Sequence, residues 1–231
     1  MPLIPSPQGR GDLRYLAALL LGSSLNLPKD TPPSLRRGVF IFALLFSMVF
    51  FSSAFAQDKE IEGVLNAKSQ WSLFGGYGVT HPGLGATKTK IQTVDFILRY
   101  GYFLTEEAGK SWYRGRHELL IEMPVHYVVS PETTPMVGIT FLACWNFTAL
   151  GNIVPYIFGG GGLVYTDLHV PELGRRLNGT YQTGLGSHYF IKKNTSIDFN
   201  YRFHHISNAN TAEPNGPLNS SKILIGLSFF M

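Results

Sequence analysis

The sequence contains a single cysteine, Cys144, so it has no internal disulfide framework and no cysteine-based metal cluster. After residue 56, no stretch is both apolar enough and long enough for a transmembrane helix, which needs roughly 20 residues. The net charge of +4 does not indicate a binding partner for the rest of the chain, because most of the positive excess lies in the first 56 residues. We therefore infer no nucleic-acid partner, and Cys144, inside a predicted strand, is expected to be an inert packed thiol.

The N-terminal region has the features of a secretory signal. Arg36 and Arg37 precede an apolar run from Gly38 to Phe51, and the run is followed by Ser-Ser-Ala-Phe-Ala. A basic flank, about 7–15 apolar residues and an Ala-x-Ala end predict cleavage after Ala56. A retained N-terminal anchor is the alternative. Residues 1–35 are rich in proline and precede the usual start of a signal. We therefore divide the chain into a leader with signal peptide, 1–56, and one domain, 57–231.

The predicted domain alternates between apolar and small or polar residues with a period of two, which is typical of β-strands. Each alternating segment is close to the roughly 9–11 residues of a tilted transmembrane strand. The eight segments are Trp71–Thr80, Val94–Phe103, His117–Val129, Met136–Phe147, Ile153–Thr166, Thr180–Ile191, Ser196–Asn208 and Ser220–Met231. In the fifth, Gly159 to Gly162 indicate a bend or a close approach of strands. The pattern predicts an all-β, eight-stranded antiparallel up-and-down barrel.

The alternation also predicts which face of the barrel meets lipid. One face is continuously apolar, whereas the other contains charged residues of both signs: Asp95, Arg99, Glu118, Glu122, Asp198, Arg202 and Lys222. An apolar face of this extent is too large to leave in water, so we expect it outside, against lipid, with paired charges inside. A soluble ligand-binding barrel with the faces exchanged is the alternative.

The seventh segment ends in a candidate catalytic pair. His205 and Ser207 share the outward face with Phe199 and Tyr201, and with the N-terminus in the periplasm they lie near the outer headgroup level. They are about 7 Å apart along the strand, so their side chains must lean together to interact. Asn219, in the next strand, has the parity of the outward-facing apolar residues and is placed to orient His205 in a triad-like row.

Two other interpretations of these residues stay open. Ser, His and Asn also collect at strand ends because loops begin there, and such a pair is then structural. Glu213, in the loop before the eighth segment, is an alternative carboxylate for the third position.

The stretch from Arg202 to Asn210, with Pro214-Asn215 and the closing strand, resembles the outer-membrane lipid A 3-O-deacylase family. The resemblance implies an enzyme of the Gram-negative outer membrane that hydrolyses the ester-linked acyl chain at position 3 of lipid A. It implies that His205 is the base, that Ser207 is the nucleophile and that Asn208 helps to stabilise the oxyanion. The partners that it implies are lipid A or lipopolysaccharide and the surrounding outer-membrane lipids. No metal or organic cofactor is implied.

The chain departs from that family at the third member of the triad. Characterised members have a glutamate where this chain has Asn219. An asparagine can orient a neutral imidazole, but it offers no charge to the imidazolium of the transition state. We therefore expect reduced turnover, rescue by Glu213, or a different natural ester. The main rival is a non-catalytic outer-membrane barrel used for structure, adhesion or narrow permeation. Homodimerisation stays open.

Overall fold

A computed structural model describes residues 62–231, so the predicted leader and signal peptide, 1–56, lie outside the described residues. The described chain begins with a short helix, α1 (Glu62–Asn66), and contains a single 3-10 turn at Ser111–Tyr113. Its strands are β1 (Ser69–Thr80), β2 (Gln92–Phe103), β3 (Gly115–Ser130), β4 (Thr134–Phe147), β5 (Ile153–Thr166), β6 (Leu177–Lys192), β7 (Thr195–Ser207) and β8 (Leu218–Phe230). Within residues 62–231 no helix is long and apolar enough to cross a membrane.

The eight strands form one closed antiparallel barrel in which each strand pairs with its neighbours in sequence and β1 closes on β8. The predicted up-and-down topology is therefore confirmed. Several strands, among them β1, β3 and β6, begin two or three residues earlier than the alternation predicts. The reason is that the backbone ladder continues past the apolar band. Closure of the barrel also pairs the strand edges. Unpaired backbone N–H and C=O groups at an open edge would be energetically costly in lipid.

The outside of the barrel carries a belt of exposed apolar side chains. Leu73, Phe96, Met123 and Ile225 on four different strands are each more than half exposed. On β7, Phe199 is 54% exposed whereas Arg202 is fully buried. The predicted parity is therefore confirmed, and this belt is the surface that a membrane barrel presents to lipid.

The interior contains the charged face, and most of its charges are paired. The Glu122 carboxylate accepts hydrogen bonds from both Arg99 and Arg202, with N–O distances of 2.8 and 2.7 Å. The Lys222 ammonium lies 3.0 Å from Asp95. Such pairing offsets the cost of removing these charges from water. His204 also faces inward, and its Nε2 lies 2.6 Å from the Thr180 hydroxyl.

The glycines of β5 allow a close approach to β4. A Cβ atom added to Gly160 would collide with the carbonyl oxygen of Phe141, and one added to Gly162 would collide with that of Ile139. Both glycines lie inside an uninterrupted strand. Of the two roles expected for this glycine run, the structure shows the close approach, and the run does not interrupt β5.

The two ends of the barrel differ. At one end α1 packs on the lumen, and the Arg116 guanidinium donates to the carbonyls of Val64, Leu65 and Ala67. At the other end β7 stops at Ser207. Three long loops gather there: loop A (81–91), between β1 and β2; loop B (167–176), between β5 and β6; and loop C (208–217), between β7 and β8. Loops A, B and C therefore lie at the end of the barrel where His205 and Ser207 are found.

Candidate active site

The last three residues of β7 bring the predicted pair to the outer wall. His205 and Ser207 are half-buried, while the intervening Ile206 points inward and is 3% exposed. The side chains lean together as the sequence required, since His205 Nε2 lies 3.1 Å from Ser207 Oγ. That is hydrogen-bond distance for a base and the nucleophile that it activates.

Asn219 occupies the third position of the row. The strand register places it directly opposite His205, and its Oδ1 lies 2.7 Å from His205 Nδ1. It has the predicted parity, but it does not project into lipid, because it is only 7% exposed. Loop A covers it. Because Asn219 is buried, this hydrogen bond lies in a region of lower dielectric constant than an exposed hydrogen bond would.

The covering loop also determines the tautomer of His205. Asn219 Nδ2 donates to the carbonyl oxygen of Leu84, at 2.9 Å. A carbonyl can only accept, so the amide nitrogen must face Leu84 and Oδ1 must face His205. Nδ1 of the histidine therefore carries the proton, and Nε2 is left as an acceptor toward the Ser207 hydroxyl. This is the protonation state that a general base requires.

The imidazole is also held from its flat side. Tyr181 of β6 lies opposite His205 in the sheet, and the two rings stack with centroids 4.2 Å apart and planes 19° apart. Stacking of this kind contributes about 0.5–1.5 kcal/mol. Tyr181 therefore restricts the rotation of the ring that two hydrogen bonds already orient.

A buried glutamate in loop B forms hydrogen bonds with both of the other loops. Glu172 of loop B is 1% exposed. Its Oε1 accepts from the backbone N–H groups of Lys88 and Thr89 in loop A, at 2.7 and 2.6 Å. Its own carbonyl accepts from Gly216 of loop C, at 2.8 Å.

Thr87 connects loop A to Asn219. The Thr87 hydroxyl donates to the carbonyl of Pro217 and accepts from the backbone N–H of Asn219, at 2.9 and 3.0 Å. The position of Asn219 therefore depends on loops that are distant in sequence.

Asn208 follows Ser207 but turns inward. Its Nδ2 donates to the carbonyls of Ala212 and Pro214, both at 3.0 Å, and its backbone N–H donates to Asn215. These donors shape loop C. The next two residues, Ala209 and Asn210, have φ angles of 53° and 60°, and their backbone N–H groups have no partner within residues 62–231. Left-handed non-glycine residues are strained and are often found at functional sites.

The alternative carboxylate, Glu213, is exposed on loop C and makes no side-chain hydrogen bond or ion pair in the described part of the chain. The partner of His205 Nδ1 is Asn219 instead. The structure therefore brings together three of the predicted residues, His205, Ser207 and Asn219, and leaves Glu213 apart from them.

A second polar group on the outer wall was missed from the sequence. Ser221 Oγ lies 2.8 Å from His81 Nε2 and 2.9 Å from the Tyr201 hydroxyl. Ser221 shares the parity of Asn219, so the alternation alone could have flagged it. His81 and the loop residues around Asn219 carry no periodic signal. In the described residues no group of three or more His, Cys, Asp or Glu side chains is arranged to hold a metal ion.

The chain resembles known proteins in sequence and in fold. The family model for lipid A 3-O-deacylase (PagL) matches residues 88–228. Among solved structures, Neisserial surface protein A (NspA) is 13% identical, with 71% of this chain and 98% of that chain covered and a TM-score of 0.53. The outer membrane enzyme PagL is 18% identical, with 68% and 97% covered and a TM-score of 0.49. No curated protein matches the chain.

The likeness to NspA shows the fold, an outer-membrane β-barrel. The family match covers more than half of the chain and includes the residues of β7 and β8 that form the row, His205, Ser207 and Asn219. The chain therefore belongs to the lipid A 3-O-deacylase (PagL) family.

Proposed function

We propose that this chain is a serine esterase of the Gram-negative outer membrane that removes the ester-linked acyl chain at position 3 of lipid A. The observation that carries the proposal is the continuous row from Ser207 Oγ through the His205 imidazole to Asn219 Oδ1, with distances of 3.1 and 2.7 Å. Membership of the family points to lipid A as the substrate class.

The outer wall offers a place for the acyl chains. Phe199 lies opposite Ile225, and Tyr201 lies opposite Ile223, so four exposed apolar side chains form one strip below Ser207. A lipid whose chains lie on this strip stays in the bilayer, which supplies part of the binding. Its ester can then approach the nucleophile at the headgroup level without leaving the membrane.

The reaction follows the usual order for a serine esterase. Ser207 Oγ attacks the ester carbonyl while His205 Nε2 takes its proton. The histidine then passes that proton to the leaving sugar oxygen, and an acyl-serine remains. Water, activated by the same histidine, attacks the acyl-serine and releases the fatty acid. Asn219 holds the imidazole in the required tautomer throughout.

Oxyanion stabilisation is assigned to the turn after the nucleophile. Asn208 is the residue that the family resemblance indicates, but both its side-chain and its backbone donors already bind loop C. The unpartnered N–H groups of Ala209 and Asn210 are adjacent to it. We assign the donors to this turn, with Asn208 holding its shape, because backbone N–H groups aimed at a developing oxyanion stabilise the transition state.

The test is mass spectrometry of lipid A from cells that express the protein. Lipid A from cells with the wild-type protein is expected to lack one ester-linked 3-hydroxyacyl chain. Lipid A from cells with the Ser207→Ala or the His205→Ala variant is expected to be intact. Ser187→Ala is a matched control, because Ser187 is also half-buried on the outer face, opposite Phe199. Unchanged deacylation in either of the first two variants would rule out the assignment.

The presence of Asn219 instead of a glutamate favours a second candidate, a barrel that has lost catalysis. That candidate predicts no change of lipid A on expression of the wild-type protein. The same mass spectra therefore decide between the two functions.

A further inference from the structure

Loop B borders an open cleft at the same end of the barrel as Ser207. The cleft has a volume of about 370 Å³ and is lined by Thr166, by most of loop B and by Pro214 of loop C. Pro214 also accepts a hydrogen bond from Asn208, the residue after the nucleophile, at 3.0 Å. Loop C, which follows Ser207, therefore contributes Pro214 to the lining of the cleft.

The cleft contains an arginine, Arg175, that has no side-chain partner among residues 62–231. Arg175 and Arg176 both line it and are both exposed. Arg176 pairs with Asp167, and His169 lies 3.4 Å from Glu132. The Arg175 guanidinium makes no hydrogen bond or ion pair within residues 62–231. Of the two arginines that line the cleft, Arg175 is therefore the one without a carboxylate partner in the described part of the chain.

The backbone that carries these arginines is well anchored. The Arg176 carbonyl accepts from the backbone N–H of Thr166, at 2.9 Å. The side chain of Asn178, which is 1% exposed, donates to the carbonyls of Arg175 and Arg176, at 2.9 and 3.2 Å. The guanidinium groups therefore extend from a fixed segment.

The strand register places the cleft beyond the nucleophile on the side away from the acyl strip. Gly179 pairs with Ser207, and Arg176 precedes Gly179 by three residues, which is about 10 Å along the strand. The acyl strip runs from Ser207 in the opposite direction. A lipid with its chains on the strip and its ester at Ser207 therefore directs its headgroup toward the cleft.

We propose that this cleft binds a phosphate group on the sugar headgroup of the lipid substrate, with Arg175 as its principal ligand. A guanidinium presents paired N–H donors that match phosphate oxygens, and it does so better than a lysine. The inference deepens the proposed function and rests on it for the identity of the lipid. The phosphate holds the headgroup while the acyl strip holds the chains, so the ester lies between two fixed points.

The experiment measures lipid binding without cleavage. The whole protein, carrying Ser207→Ala so that the lipid stays intact, is purified in detergent. Its affinity is compared for bis-phosphorylated lipid A and for the same lipid after removal of its phosphates, by native mass spectrometry. Tighter binding of the phosphorylated lipid is expected. Adding Arg175→Ala should weaken binding of the phosphorylated lipid about fivefold to tenfold, as for a charged hydrogen bond at an exposed site, and leave binding of the dephosphorylated lipid unaffected.

Controls separate a phosphate contact from general effects. Arg175→Lys should keep part of the affinity, because the charge remains without the paired donors. Lys90→Ala removes an exposed cation from loop A, outside the cleft, and should leave both affinities unchanged. A heat-modifiable gel shift shows whether each variant is a folded barrel. Competition by inorganic phosphate would show that free phosphate also enters the cleft, whereas its failure to compete would assign the site to phosphate on a lipid.

The proposal is overturned if Arg175→Ala and Arg175→Lys bind both lipids as the parent does, or if Arg175→Ala weakens both equally. Neither outcome bears on the esterase, because binding is measured without turnover. Conversely, an unaltered lipid A in cells would remove the esterase assignment and leave this binding comparison intact.

Discussion

Replacing Asn219 with aspartate is the most direct test of the hydrogen-bonded row formed by Ser207, His205 and Asn219. In Asn219→Asp, one carboxylate oxygen replaces Oδ1, which lies 2.7 Å from His205 Nδ1. The imidazolium formed in the transition state would then face a negative charge at roughly 4–5 Å, which is worth about 3–4 kcal/mol at an effective dielectric of about 20. His205 is half-buried, so solvent screening reduces this to about 1–2 kcal/mol. We therefore expect kcat to rise roughly 5- to 30-fold.

The same substitution has a cost in the covering loop. The second carboxylate oxygen would face the carbonyl of Leu84, to which Asn219 Nδ2 now donates at 2.9 Å. Loss of that hydrogen bond in a buried position costs about 1–3 kcal/mol. Asn219→Asp should therefore be faster but less heat-stable than the wild-type protein. Asn219→Glu should gain less, because its longer side chain must fit under loop A, where Asn219 Nδ2 already lies 2.9 Å from the carbonyl oxygen of Leu84.

The assay is steady-state hydrolysis of purified lipid A in detergent micelles, with kcat and KM separated. Asn219→Ala is the control for the loss of the hydrogen bond and should lower kcat about tenfold or more. The reasoning is refuted if Asn219→Asp forms a folded, heat-modifiable barrel whose kcat is equal to or below that of the wild-type protein. In that case position 219 does not act on the charge of His205.

Two further predictions concern the residues that hold the row. Glu172→Ala should lower barrel stability by about 2–3 kcal/mol and reduce kcat, because the Lys88 and Thr89 N–H groups lose a buried carboxylate; thermal denaturation followed on gels measures the first effect. Glu172→Gln keeps an acceptor and should stay near wild type, so equal losses in the two variants would contradict this explanation. Tyr181→Ala should reduce kcat roughly twofold to tenfold with little change of KM, since the stacked ring only orients His205. Tyr181→Phe should be neutral, and a defect as large as that of Tyr181→Ala would instead assign a role to the hydroxyl.

Local periodicity was sufficient to predict the barrel and the face on which the pair lies. The side-chain period of a strand is two, so the apolar Phe199 and the charged Arg202 determine together which parity meets lipid. His205 and Ser207 follow from that parity because they belong to the same strand. Opposition of Asn219 to His205 also followed, since consecutive strands of a meander are neighbours.

Loop-dependent features could not be predicted in this way. Asn219 has the parity of a lipid-facing residue, yet loop A buries it and fixes its amide through Leu84. Glu172 is more than 80 residues from its loop A partners, and no pattern in the sequence links them. The oxyanion role that the family motif implies for Asn208 stays a prediction, and the hydrogen bonds from its Nδ2 to Ala212 and Pro214 of loop C carried no signal in the sequence.

The amino-acid sequence by itself determined the barrel, its inside and outside, and the strand end at which a serine and a histidine meet the membrane surface. Alternation along a strand is a local property, and the hydrophobic effect acts on each strand in the same way. Only the tertiary structure decided the tautomer of the histidine, the burial of Asn219 and the cleft above the nucleophile. These depend on hydrogen bonds between loops far apart in the chain, and their geometry exists only once the barrel has closed.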